Sequence, residues 1–181
     1  MLTTEEKTVP TQVGEKLPRP LRVCFVCTGN TCRSPMAAAV ANDLACKPFR
    51  SLPESVRGCA VPAVEAVSAG LFANVGEPIS RNAVQALEQA GVLPVPEHDF
   101  HTHTARNLTQ EGAAFCDLII AMTPGHAQQL LMAMPDQLSK IRVMPEPVPD
   151  PYGGDLAAYA ACLEKITDGV RKLLFPGDGE S

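Results

Sequence analysis

The stretch VCFVCTGNTCRSP, residues 23–35, decides how the rest of the chain is read. It begins as an apolar run rich in Val and Phe, reaching back to Leu21, which predicts a strand over residues 21–27 covered on both faces. It then turns through small polar residues to Arg33-Ser34-Pro35, where Pro suits a first helical turn, and Met36 followed by Ala37, Ala38 and Ala39 favours a closely packed helix as far as Ala45. Between Cys27 and Arg33 stand five residues, Thr28, Gly29, Asn30, Thr31 and Cys32. A loop of that length between a strand end and a helix start can curl its backbone N–H groups inward, and the helix N-terminus adds partial positive charge. The result is a cradle for a tetrahedral oxyanion. Gly29 can accept a positive φ, Asn30 tolerates the left-handed region, and the Arg33 guanidinium can bind two oxygens at once. Cys27 stands at the base of the cradle, where the N–H groups, Arg33 and a hydrogen bond from Ser34 would favour a nucleophilic thiolate.

The whole chain bounds what the loop can serve. With 181 residues and 45% hydrophobic content, one compact core is expected. A net charge of -5 argues against a protein that coats nucleic acid or an anionic membrane, because such binding needs a basic face. No apolar run approaches the ~20 residues of a membrane span, and residues 1–20 lack the apolar centre of a signal peptide. A cytoplasmic protein, acting as a monomer, is expected. Seven cysteines without a framework spacing fit reduced thiols better than disulfides.

Residues 1–20 read as a loose extension, 21–175 as the functional domain and 176–181 as a tail. Further strands are expected at 64–68, 116–122 and 141–144. Helices are expected at 80–90, with Ser80 as an N-cap and Gly91 as the stop, after Thr109, at 124–134, and at 156–174 behind a capping Asp155. Residues 47–62, with three prolines, form an unusually long connection. Strands alternating with helices predict an α/β fold, a three-layer sandwich with a central four-stranded parallel sheet and helices on both faces. In such sheets ligands bind at the carboxyl ends of the strands, where the opening stretch turns.

C-T-G-N-T-C-R-S-P resembles the signature loop of the low-molecular-weight protein-tyrosine-phosphatase family. The likeness continues through VSAGLFANVGEPISRNAVQAL, HTARNLT, CDLIIAMT and PDPYGGD. It implies a phosphatase that forms a phosphocysteine intermediate on a phosphorylated protein substrate and needs no metal or other cofactor. Cys27 would be the nucleophile, Arg33 and the loop residues 28–32 with Ser34 the phosphate binders, and Asp150 the acid that protonates the leaving atom and later activates water. Pro151 restricts Asp150 to extended conformations, and Gly153 and Gly154 let the loop fold over the cradle. The resemblance also makes Tyr152 an aromatic wall of the cleft, and makes Asn30, Ser34, Ser68 and His103 a hydrogen-bonded support of the loop.

Other readings of the same residues stand beside this one. Cys24 and Cys27 form a C-x-x-C, but strand alternation sends them to opposite faces and no second such pair exists, so a zinc site is not expected. Cys32 either packs or forms a protective disulfide with Cys27 on oxidation. Cys46, Cys59, Cys116 and Cys162 read as structural, and His98, His101 and His126 as surface polar residues. At position 31 tyrosine-directed relatives often carry a bulky aliphatic side chain, whereas Thr31 matches the bacterial protein-arginine phosphatases. A hydroxyl there could accept an N–H from a phosphorylated guanidinium, so phosphotyrosine and phosphoarginine both stay open. Arsenate reductases share this loop but add a cysteine relay, and here no cysteine lies between Cys116 and Cys162. A non-catalytic oxyanion-binding module is the remaining alternative.

Overall fold

The computed structural model describes residues 19–57 and 60–177. Most of the expected N-terminal extension, Cys59 and residues 178–181 lie outside the described residues. Four strands, β1 (Leu21–Cys27), β2 (Val64–Gly70), β3 (Leu118–Ala121) and β4 (Ile141–Val143), form one parallel sheet in the order β2-β1-β3-β4. Among the described residues six helices surround it: α1 (Arg33–Cys46), α2 (Glu54–Arg57), α3 (Arg81–Gln89), α4 (Gln110–Phe115), α5 (Pro124–Ala133) and α6 (Leu156–Leu174). The expected three-layer α/β sandwich is the observed one.

Strand alternation divides the core in two. Val23, Phe25 and Cys27 point into a cluster with residues of α1, α3 and α6, while Cys24 and Val26 point into a second with Ala113 of α4 and Ala127 and Leu130 of α5. Both faces of β1 are covered, which is why its sequence is a near-continuous apolar run rather than an alternation. Helix α1 is buried almost all round, consistent with its run of alanines, and Asn42 within it both donates to the Ala66 carbonyl and accepts from the Ala66 N–H at 2.8 Å. That side chain fastens α1 to β2 without leaving a buried amide unpaired.

The ends of β1 and α6 fall where the sequence places them; other boundaries move. Strand β2 runs on to Gly70, whose carbonyl and N–H bond Leu108 N and Arg106 O, and β3 is shorter than expected at each end. The connection 47–62 contains a 3₁₀ turn at Lys47–Phe49 and the single turn of α2. Thr109 and Asp155 cap α4 and α6 as expected, accepting from Gly112 N and Ala158 N at 3.0 Å. Ser80 stands at the N-cap of α3 but makes no capping bond; its hydroxyl donates to Tyr159 Oη at 3.0 Å instead. Gly91, with φ 73°, follows the end of α3. No described helix is long and apolar enough to cross a membrane.

Candidate active site

Because β1 is central and parallel to both neighbours, residues 27–33 emerge at the carboxyl edge of the sheet with support on either side. Leu71 N donates to Cys27 O and Phe72 N to Thr28 O, each at 3.0 Å, while Met122 N donates to Val26 O at 3.0 Å. The loop thus curls between the continuations of β2 and β3 before entering α1.

Asn30 organises the curl. It is fully buried and is the one non-glycine residue with positive φ among those described, at 59°. Of the two residues read as able to turn left-handed, Asn30 does so and Gly29 does not. The conformation suits Asn because every polar group it carries is then used. Its Nδ2 donates to Ser34 Oγ and Ser68 Oγ at 2.9 Å, its Oδ1 accepts from Arg106 N at 3.0 Å, and its carbonyl accepts from His103 Nε2 at 2.9 Å. Its own N–H points to Cys27 Sγ at 3.3 Å. The four side chains expected to support the loop therefore meet. The bond to a carbonyl fixes Nε2 of His103 as the protonated nitrogen, and burial holds its pKa below the ordinary histidine value.

Ser34 links this support to the sulfur. Its Oγ lies 3.0 Å from Cys27 Sγ and 3.3 Å from Ala69 O, and it has one hydrogen to give. With a neutral thiol, Cys27 can donate to Ser34; with a thiolate, the Ser34 hydrogen turns to sulfur, so the hydroxyl follows the charge state without moving. Arg33 is 94% buried, with Nη1 on Val148 O at 3.3 Å and Nη2 on Asp150 Oδ2 at 3.0 Å. Asp150 Oδ1 also accepts from Tyr152 N at 3.2 Å, and Gly153, with φ 77°, turns the chain back so that Gly154 N reaches Pro151 O at 2.9 Å. The expected looping of this glycine pair is present.

These residues surround a cleft of about 280 Å³ floored by residues 27–33 and walled by Asp150 and Tyr152. Phe72, Asn74 and Glu77 complete the wall, and the sequence reading did not single them out. The signal available was Gly70 at the end of a strand next to β1, at the carboxyl edge of the sheet. A cavity of about 350 Å³ behind Ser68 and His103, and one of about 600 Å³ between α1, α3 and α6, are lined by no cysteine. Among the described residues no three His, Cys, Asp or Glu side chains converge as a metal site.

Cys32 turns to α6, with Sγ 3.2 Å from Tyr159 Oη and 3.6 Å from Thr31 Oγ1. Burial pushes the Tyr159 pKa up to about 12, so its hydroxyl stays protonated and can donate to that sulfur. Cys24 is buried against Cys116 and its pKa is raised by that thiol and by burial; Cys162 is raised to about 12 by burial. Both are inert by that measure. His98 and His101 lie against surface carboxylates, as expected of polar surface residues. His126 does not: it is 93% buried and bonds a cradle residue, Thr28 Oγ1, at 2.9 Å.

The sequence profile of the low molecular weight phosphotyrosine protein phosphatase family matches residues 22–179. Among curated relatives, a protein-arginine-phosphatase of Geobacillus stearothermophilus is 29% identical over 161 residues, covering 85% of this chain and 94% of its own. A low molecular weight protein-tyrosine-phosphatase of Streptomyces coelicolor is 33% identical over 166 residues, covering 84% and 91%. The crystal structure of a low molecular weight protein tyrosine phosphatase from T. tengcongensis superimposes with a TM-score of 0.68 at 34% identity, covering 84% and 97%. The chain, by sequence, fold and the composition of its cleft, belongs to the low molecular weight phosphotyrosine protein phosphatase family.

Proposed function

We propose that this protein is a cysteine-dependent phosphatase that hydrolyses phosphorylated protein side chains through a phosphocysteine intermediate, with Cys27 as nucleophile and Asp150 as acid and then base. The observation that carries the reading is the convergence at one cleft of Cys27 Sγ, bonded by Asn30 N and Ser34 Oγ, with the Arg33–Asp150 pair. The loop N–H groups and Arg33 would take the phosphoryl oxygens, stabilising the charge that develops on them in the transition state. Sulfur attacks phosphorus as the bond to the leaving atom breaks, and protonated Asp150 gives that atom its proton. In the second step Asp150, now a carboxylate, takes a proton from the water that attacks the S–P bond, releasing phosphate and the thiolate.

Two observations favour phosphoarginine as the substrate side chain. Thr31 lines the floor with a hydroxyl that can accept a guanidinium N–H, and Glu77 joins Asp150 in placing carboxylates on the walls, which suits a cationic guanidinium better than a neutral ring. Phosphotyrosine has its own support. Phe72 and Tyr152 are 72% and 74% exposed at the cleft and offer two apolar faces to an aromatic ring. The test is kcat/KM on matched phosphoarginine and phosphotyrosine peptides, for the native protein and for Thr31→Ile. A native preference for phosphoarginine that Thr31→Ile reverses supports the first reading; phosphotyrosine leading in both proteins supports the second.

A further inference from the structure

One buried side chain at the cleft has no part in the chemistry above. His126 is the third residue of α5, and its placement follows from the sheet. Val26 pairs with Ala121, so the turn from β3 into α5 lies alongside the start of the loop that leaves β1. Thr123 caps α5, its Oγ1 accepting from the His126 N–H at 3.3 Å. The imidazole then stands between two hydroxyls, with Nδ1 2.8 Å from Thr123 Oγ1 and Nε2 2.9 Å from Thr28 Oγ1. Thr28 is the residue directly after Cys27, its side chain is otherwise exposed, and it lines the cleft.

A neutral imidazole donates through one ring nitrogen and accepts through the other, and each threonine hydroxyl can do either, so in either tautomer His126 bonds Thr123 and Thr28 together. Either way the Thr28 side chain is held to the ring at 2.9 Å. Burial, and the nearby Arg33 charge, hold the His126 pKa below the ordinary histidine value, keeping the ring in the neutral form that this chain of bonds uses. Without His126, Thr28 would be an exposed threonine free to change rotamer at the mouth of an anion site.

We propose that His126 is a positioning residue. It holds Thr28 from the β3 side, as Ser68 and His103 hold Asn30 from the β2 side, and so keeps the loop in its oxyanion-receiving shape. The inference rests on reading the cleft as a phosphatase site, and it adds a second clamp on the loop that acts through Thr28 rather than through Asn30.

The test compares His126→Ala, His126→Gln, Thr28→Val, Thr28→Ser and the double variant Thr28→Val with His126→Ala. The readouts are kcat/KM on an aryl phosphate, inorganic phosphate affinity by calorimetry, and Tm. Because small misplacements of positioning groups are expensive, His126→Ala should lower kcat/KM by about tenfold or more and weaken phosphate binding in parallel. His126→Gln, whose amide nitrogen can reach Thr28, should recover most of that loss, and Thr28→Val should reproduce it. If the two side chains act as one unit, the double variant loses no more than the worse single variant. The inference is overturned if folded His126→Ala stays within about twofold of the native protein in both activity and phosphate affinity, or if the two losses multiply as for independent sites. Should His126→Ala fail to fold, the threonine pair decides: Thr28→Val well below Thr28→Ser supports the clamp, and equality of the two overturns it. A native protein without turnover would defeat the phosphatase reading, while the phosphate-affinity series would still judge the clamp.

Discussion

Arg33 Nη2 lies 3.0 Å from Asp150 Oδ2, joining the phosphate-binding loop to the turn that carries the proposed acid. The two partners differ in exposure: the arginine side chain is 7% exposed and the aspartate 53%. The guanidinium is thus a fixed point on the cleft floor, and the carboxylate, steadied by Tyr152 N, faces the opening where a leaving group would sit.

Replacing Asp150 by Ala should therefore lower kcat by about 10²–10⁴-fold for a leaving group that needs protonation, and much less for an activated aryl phosphate. Inorganic phosphate should still bind, since Arg33 and the loop remain. A leaving-group series read by stopped-flow checks this; equal losses across the series would remove Asp150 from the acid role.

Gly70 tests the geometry of the loop from outside it. A Cβ at this position would stand 2.6 Å from the Thr28 carbonyl oxygen and 3.2 Å from Asn30 Cβ, so the loop would have to move. Gly70→Ala should cut kcat/KM by about a hundredfold through displacement of positioning groups, while the protein remains folded. Native-like activity in Gly70→Ala would mean that the loop tolerates a shift that this account forbids.

Two histidines at the loop make stability depend on pH. His103 and His126 both have pKa values lowered chiefly by burial, with Arg106 and Arg33 respectively adding to the effect. Below about pH 6.5 the unfolded chain binds protons at these positions that the folded chain resists. Their contribution is complete above that value and is lost as pH falls toward the folded pKa values. His101, raised by Asp99 and Glu88, works in the opposite sense, but it is exposed and its effect is screened. Asp117, held well below the usual carboxylate range by Arg19 and by the Arg22 N–H, contributes only to loss in stronger acid, below about pH 4. Tm should fall on acidification from about pH 6.5 to 5, and less steeply in His126→Gln. Identical slopes in the two proteins would contradict the assignment.

The loop and fold were legible because their signals are local. An apolar run ending in small polar residues marks β1 and its turn, and alternation of strands with helices marks the layers. Asp150 was within reach through the resemblance of PDPYGGD to the family; Pro151 and the glycines alone mark only a turn. His126 was missed for a physical reason: in the sequence Thr-Pro-Gly-His it sits in the first turn of a helix, where a polar residue ordinarily faces water. Only the β1–β3 pairing brings that turn against Thr28 and buries the ring. Ser80 misled in the other direction. It has the type and place of a capping residue, yet a buried tyrosine 79 positions away takes its hydroxyl. Of the two residues the sequence offered for a left-handed turn, Asn30 takes it, and its side chain is then bonded by Ser34, Ser68 and Arg106 N.

The central claim is that phosphorus passes through Cys27. Rapid acid quench of Asp150→Ala during turnover of an activated aryl phosphate, followed by peptide mass spectrometry, tests it most directly. The account predicts one phosphoryl group on the peptide that carries Cys27, formed faster than phosphate is released and absent in Cys27→Ala. A phosphoryl group on any other residue, or turnover that survives Cys27→Ser, would contradict it.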